Sequence, residues 1–156
     1  MRAILQRVAE ARVETDGTCV GSCGPGLLIL LGVGSNDTEQ DAQRLWGKIA
    51  KLRIFPDDAG KTNLSLLDVG GEVLVVSQFT LYANCRRGNR PSFASAAPAE
   101  LGNRLYECFC SCAQRDVTHV GRGVFGAHMH VTLTNDGPFT VLLDTDDLGR
   151  GPSRSS

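Results

Sequence analysis

Leu27-Leu28-Ile29-Leu30-Leu31-Gly32-Val33 is the longest strongly apolar run in the chain, and it stops after seven residues. A membrane-spanning helix needs about 20 such residues. Gly24-Pro25-Gly26 breaks the chain just ahead of the run. A short continuous apolar stretch beside such turn formers reads as a strand buried on both faces. A second run, Glu72 to Leu81, is Val-rich and reads as another central strand, because β-branched side chains suit a pleated buried surface. Buried strands need cover on both sides. The 156 residues are enough for one domain that buries roughly 68–70% of its unfolded surface, and too few for two.

The cover comes from two helices. Thr38 can cap the first, with Glu39 and Asp41 placed where the helix dipole favours acids. Ala42, Leu45, Trp46, Ile49 and Leu52 then form one apolar stripe at helical spacing. Pro98 fits the start of the second helix, and Leu101, Leu105, Phe109 and Cys112 continue it. Further strands are expected over Ala3–Thr15 and Thr18–Ser22, joined by the hairpin signal Asp16-Gly17. Others are expected over Val117–Val120, His130–Thr134 and Phe139–Leu143, while Tyr82–Ala97 reads as an irregular loop and Gly121, Gly123 and Gly126 space a flexible segment. The fold class is therefore α+β: a single domain with a largely antiparallel, barrel-like sheet and two main helices. The domain is expected over residues 1–144, and residues 145–156 as a polar, disordered tail.

Charge and cysteine usage narrow the function. Sixteen Lys+Arg against seventeen Asp+Glu give a formal charge of −1. That argues against a general nucleic-acid coat, whose face is strongly basic, and no DNA partner is expected. It leaves room for an enzyme that grips one end of a nucleic acid. Met1-Arg2-Ala3-Ile4-Leu5 passes directly into Gln6-Arg7, so no secretory apolar region and no membrane association are expected, and the expected location is cytoplasmic. Six cysteines stand at 19, 23, 85, 108, 110 and 112. In such a chain they read as reduced thiols. Cys108, Cys110 and Cys112 lie two apart on a helix, each about 200° round from the next, and cannot converge on one metal. No cofactor and no metal site are expected.

Nucleophilic catalysis is hard to assemble from His119, His128 and His130, and the acid pairs Asp57-Asp58 and Asp146-Asp147 sit in turn or tail contexts. Two segments carry more information. Ser77-Gln78-Phe79-Thr80-Leu81 turns a buried strand abruptly polar, and Asn135-Asp136-Gly137-Pro138 places Gly-Pro directly ahead of a strand. Unpaired buried polar groups cost about 1–3 kcal/mol, so Ser77 and Gln78 must meet water, backbone or ligand. Taken singly, the first segment is an exposed strand end and the second a plain hairpin turn.

Taken together, in this order and in a chain of this length, Ser77-Gln78-Phe79-Thr80-Leu81 and Asn135-Asp136-Gly137-Pro138-Phe139-Thr140 resemble the D-aminoacyl-tRNA deacylases. The resemblance runs from Met1 to about Asp144 and includes Arg-Ile-Phe at 53–55, Asn-Leu-Ser-Leu-Leu-Asp at 63–68, Arg-Pro-Ser-Phe at 90–93 and Gly-Val-Phe-Gly-Ala-His-Met at 123–129. It implies hydrolysis of the ester joining a D-amino acid to the terminal ribose of tRNA, with glycyl-tRNA mischarged on tRNA-Ala as a further substrate. It also implies a homodimer whose active site is completed across subunits. Gly137 and Pro138 would form a Gly–cis-Pro gate that excludes L-amino acids, steadied by Arg7. Ser77, Gln78, Phe79 and Thr80 would hold the reacting ester, and Phe125 and Met129 would line the pocket for the 3′-terminal adenosine. The route to the attacking water stays open between Thr80 as a nucleophile and assistance from the ribose hydroxyl. Arg86, Arg87 and Arg90 read either as tRNA phosphate contacts or as a solvated surface run. Three rival readings are a synthetase-associated editing domain, an inactive tRNA- or DNA-binding module, and a cysteine-based redox or metal protein.

Overall fold

The computed structural model describes residues 1–149. Its organising strand is β1 (Arg2–Thr15), which continues through the Asp16-Gly17 turn into β2 (Thr18–Cys23). Asp16 and Gly17 both have positive φ, the conformation such a hairpin turn demands. β3 (Gly26–Gly32) is the apolar run, and all of it except Leu30 is buried. α1 (Glu39–Lys51) follows, capped by Thr38 in a reciprocal arrangement with Asp41. Its stripe Ala42, Leu45, Trp46 and Ile49 packs into the core as its spacing requires. The hairpin β4 (Phe55–Pro56) and β5 (Thr62–Leu64) and a short capped turn of helix, α2 (Leu66–Val69), lead to β6 (Glu72–Ser77). α3 (Ala99–Asp116), β7 (Val120–Arg122) and β8 (His130–Asp144) complete the chain. No helix among the described residues is long and apolar enough to cross a membrane.

The sheet is mixed. β1 pairs antiparallel with β8 along nearly its whole length on one edge, and on the other edge with β3 first and β2 afterwards. β3, β6 and β7 run parallel. The sheet then curls until β2 meets β7. A Cβ on Gly21 would overlap the Arg122 carbonyl oxygen, and one on Gly121 would overlap that of Ser22. Only glycine lets two backbones approach so closely. Gly121 is therefore a locked closure point, not part of a flexible segment. One main core lies between the sheet and the two long helices, where Trp46 meets Phe109 edge-on at 5.7 Å. A second gathers Val8, Val13, Leu28, Leu74 and Val76 on the other face.

Several sequence expectations shift. β6 ends at Ser77, because Phe79–Tyr82 turns into a 3₁₀ helix. The strand expected at Val117–Val120 begins at Val120, its predecessors capping α3. The two strands expected on either side of Asn135–Pro138 are one continuous strand, β8, interrupted by bulges against β1. Of the 145–156 segment expected as a tail, residues 145–149 are described. Thr145 is only 2% exposed: its N–H donates to the Met1 carbonyl (2.9 Å), and its hydroxyl accepts from the chain's α-ammonium (2.7 Å). Residues 150–156 lie outside the described residues.

The closure makes a direct prediction. Gly21→Ala or Gly121→Ala should each cost about 2–3 kcal/mol, lowering the thermal midpoint by roughly 5–10 °C. Gly47→Ala, in the exposed middle of α1 with open space around it, should instead add up to about 1 kcal/mol. Thermal denaturation of the three variants measures both signs, and tolerance of alanine at both closure glycines would refute the closed sheet.

Candidate functional site

The end of β6 is built to present backbone. Gln78 N–H donates to the Leu31 carbonyl (2.8 Å), the last rung of the β3 ladder. The chain then turns, with Leu81 N–H on the Gln78 carbonyl (3.3 Å) and Ala83 N–H on the Thr80 carbonyl (3.0 Å). The amides of Phe79 and Thr80 have no acceptor among the described residues. Gln78 Nε2 donates to Thr80 Oγ1. An amide nitrogen cannot take a proton from that hydroxyl, so Gln78 positions Thr80 without acting as its base, and no other side chain among the described residues bonds the Thr80 hydroxyl.

Side chains behind the turn hold it in place. Arg2 donates through Nη1 to the Leu81 carbonyl (3.0 Å), pairs through Nε with Asp144 (2.7 Å), and lies over the Tyr82 ring at 4.5 Å. Tyr82 reaches Asp37 (3.4 Å), which also accepts from Gly34 N–H (2.6 Å). Burial, with the Asp37 charge beside it, pushes the Tyr82 phenol well above its ordinary range, so it stays a neutral donor. Burial works against ionisation of Asp144 too, but the Asp146 N–H and Arg2 together hold its carboxyl below the usual range.

Phe125 and Met129 flank the same strand end. Gly123 N–H donates to the Val75 carbonyl (3.0 Å), bringing the segment after β7 alongside β6. Met129 Sδ lies close over Gly123. Phe125 tilts against Tyr106 at 6.1 Å, and Tyr106 donates to the Val75 carbonyl (2.8 Å). Phe125 packs against the main core and Met129 against the second one, so the two follow β7 on opposite faces of the sheet.

Gly137 and Pro138 stand elsewhere, in the bulge of β8 opposite Arg7, and the bond between them is cis. Gly137 has φ +134°, a region that L side chains rarely adopt. Arg7 fixes this bulge: Nη1 donates to the Ile54 carbonyl (2.7 Å), Nε to the Asp136 carbonyl (3.2 Å), and the guanidinium covers the Phe139 ring at 5.0 Å. Sequence reasoning missed Asn135, whose Nδ2 donates to the carbonyls of Arg7 (2.9 Å) and Phe139 (3.0 Å), closing the base of the bulge. Its position at the head of the Gly-Pro motif was the available signal. Within one chain this bulge is remote from Thr80. Ser77 shares its level with Leu31 and Ala3, whereas the bulge sits at Arg7. That is four residues, about 13 Å, along the strands and three strand spacings, about 14 Å, across them.

Arg86, Arg87 and Arg90 are exposed on a loop closed by a two-way bridge between Asn84 and Ser92 (2.7 and 3.0 Å). None of the histidines bonds the Thr80 hydroxyl among the described residues: His119 bonds the Ser22 carbonyl (2.7 Å), and His128 and His130 stack edge-on at 5.0 Å. All six cysteines are free, and burial pushes the Cys23 and Cys110 thiols up to about 11, which leaves them unreactive near neutral pH. Among the described residues no three His, Cys, Asp or Glu side chains gather as metal ligands do.

A family model described as D-Tyr-tRNA(Tyr) deacylase matches residues 4–144. A D-aminoacyl-tRNA deacylase of Roseiflexus castenholzii is 60% identical over 145 residues, covering 93% of this chain and 92% of that protein. One from Deinococcus deserti is 57% identical over 144 residues, covering 92% and 99%. Among solved structures, the c-Myc DNA unwinding element binding protein superposes with a TM-score of 0.87 at 37% identity, covering 92% of this chain and 98% of that one. A probable eukaryotic D-amino acid tRNA deacylase superposes at 0.81 with 17% identity, covering 91% and 97%, a likeness of fold.

The bulge geometry is testable without substrate. Asn135→Ala removes both bonds at its base, so amide exchange at Gly137 and Phe139 should accelerate at least about fivefold, the loss of one ordinary hydrogen bond. Exchange at Leu28 and Val75 in the core should keep its rate. Unchanged protection at Gly137 and Phe139 would show that Arg7 alone holds the bulge.

Proposed function

The chain belongs to the D-Tyr-tRNA(Tyr) deacylase family, and we propose that it hydrolyses the ester of D-aminoacyl-tRNA, releasing free tRNA and the D-amino acid. Residues 1–144 form the catalytic domain. The observation that carries the reading is the strand end at Ser77–Thr80, where the backbone N–H groups of Phe79 and Thr80 have no acceptor among the described residues. Hydrolysis needs a home for the oxyanion that develops as water attacks the ester carbonyl. The Phe79 and Thr80 amides serve as that home, and each such donor contributes about 2.7–4 kcal/mol in a known hydrolase. Ser77 and Gln78 hold the turn in register. Phe125 and Met129 line the pocket for the terminal adenosine. Its ribose hydroxyl, next to the ester, activates the water, since no base bonds the Thr80 hydroxyl among the described residues. No cofactor takes part.

Chiral selection falls to Gly137 and Pro138. A backbone element held by Arg7 and Asn135 tests where one Cα substituent points more rigidly than a side chain does. A D-substituent points away from it, an L-substituent collides, and glycine has nothing to collide. Glycyl-tRNA, including glycine mischarged on tRNA-Ala, is therefore also a substrate, and the role is translational proofreading in the cytoplasm. The distance between the bulge and Thr80 within one chain favours a homodimer in which each subunit's gate serves the other's site. A C2 interface makes that exchange reciprocal. β8 supports it: its outer edge has no partner strand among the described residues, and Leu142 is 65% exposed there.

Matched D-tyrosyl-, L-tyrosyl- and glycyl-tRNA should show rapid hydrolysis of the first and third and sparing of the second. Equal rates on both enantiomers would sink the gate. In the same assay, a mixture of two inactive variants, one altered at Gly137-Pro138 and one at Gln78, should regain a D-selective site after subunit exchange. No recovery despite verified exchange would return the gate to its own chain.

Thr80→Val should retain activity within about tenfold, while replacing the ribose hydroxyl by hydrogen should cost about 10²-fold or more, the scale of a lost general base. Abolished turnover in a folded Thr80→Val, with the deoxy substrate still cleaved, would reverse the assignment.

A further inference from the structure

Phe93 has no part in the chemistry above, yet it stands beside it. The residue is 36% exposed, and its ring meets that of Phe79, a residue 57% exposed, edge-on at 5.0 Å with planes 71° apart. Phe79 immediately precedes Thr80. Two neighbouring rings left in water forgo burial that would otherwise stabilise the fold, and such a patch marks a contact surface. The segment is firmly placed: Ser35 N–H donates to the Ser95 carbonyl (3.0 Å), and Ala97 N–H to the Val33 carbonyl (2.9 Å). Phe93 is thereby tied to the β3 side of the β6 end, whereas Phe125 and Met129 follow β7 on the other side. The two are separate positions flanking one reactive turn.

The chain that delivers Phe93 is the loop carrying Arg86, Arg87 and Arg90. All three are exposed, and none pairs with an acid among the described residues. Exposed aromatic rings at the foot of a cationic loop match what single-stranded nucleic acid requires: bases stack on the rings and phosphates follow the charges. The net charge of −1 makes this local concentration more telling, since overall charge does not account for it.

Resting on the deacylase reading, we propose that Phe93 and Phe79 form a stacking platform for an unpaired nucleotide preceding the terminal adenosine. The Arg86–Arg90 loop takes the phosphates of that same strand. The site binds RNA by stacking and charge, so it is tolerant of base identity.

The test compares D-tyrosyl-tRNA with D-tyrosyl-adenosine, which carries only the terminal nucleoside. For Phe93→Ala and Phe93→Leu, the ratio of kcat/KM on tRNA to that on the adenosine ester should fall about 5- to 150-fold, the range for losing one stacked base, with the loss in KM. Phe93→Tyr should restore the ratio. Replacing Arg86, Arg87 and Arg90 together by Gln should flatten the dependence of log KM on log salt by about 2, at roughly 0.7 per phosphate contact on a single strand. Equal losses on both substrates would reduce Phe93 to a support for Phe79 and overturn the platform, as would an unchanged ratio. An unchanged salt slope would remove the arginine loop from the site. A wild-type enzyme inert on both esters would overturn the deacylase reading, and the platform with it.

Discussion

A strand has two edges, and β1 uses both along almost its full length. One edge is taken by β8, the other by β3 and then β2. The handover falls between Val8 and Ala11, and the ladder to β8 slips both there and one step earlier, between Gln6 and Val8. A ladder that is continuous on one side and changes partner on the other must bend there, and bulges supply the extra twist. Arg7 sits at the bend with its guanidinium on Asp136, Ile54 and Phe139. The Gly-Pro element therefore does not decorate a loop. It occupies the slip just ahead of the point where β1 changes partner, in a sheet whose curl brings Gly21 against Arg122 and Gly121 against Ser22.

The two segments of the proposed site use backbone for different ends. At Phe79 and Thr80 the backbone supplies donors. At Gly137 and Pro138 it supplies shape. Neither half is rigid by itself, because a turn after a strand and a bulge within one are both places where pairing lapses. Each is steadied from behind by an arginine whose fork spans several acceptors: Arg2 for the turn and Arg7 for the bulge. A lysine could not replace either, since one ammonium on a flexible stem cannot hold a carbonyl, a carboxylate and an aromatic face at fixed angles.

Much of this was legible in the sequence where periodicity carried it. The apolar run of β3, the stripe of α1 and the Thr38 cap all follow from local pattern and reappear with small changes of boundary. The 3₁₀ turn after Ser77 was read as more strand, because Phe79 and Leu81 have the right residue types and only the tertiary setting turns them. β8 was read as two strands because Asn-Asp-Gly-Pro scores as a hairpin turn. What keeps the strand continuous is β1 on its other side, a long-range partner that local composition cannot reveal. The parallel run of β3, β6 and β7 was likewise hidden, since a fully buried strand reads the same in either direction. Ser77, Gln78, Thr80, Gly137 and Pro138 stood out by residue type and by resemblance. Asn135, Tyr82 and Asp37 did not, because the partners that give them a role are distant in sequence: Asn135 donates to the Arg7 carbonyl, and Tyr82 donates to the Asp37 carboxylate.

The proposed function assigns selectivity and affinity to different parts of the molecule. A D- and an L-aminoacyl-tRNA share the same terminal adenosine, the same preceding nucleotides and the same phosphates. Every contact to the RNA is therefore common to both, and contacts common to two substrates cancel from the ratio of their kcat/KM values. Stronger stacking or more arginines would tighten both complexes equally and leave the enantiomers undistinguished. Discrimination has to come from an element that meets the Cα substituent alone and penalises one arrangement. A small, stiff backbone element does this, whereas a complementary pocket would also have to recognise each amino acid. In the proposed division the arginine loop grips the RNA, while the chiral test rests on two residues without a functional side chain. It also separates the two evolutionary demands: the RNA grip can vary in strength without affecting which hand of amino acid is removed.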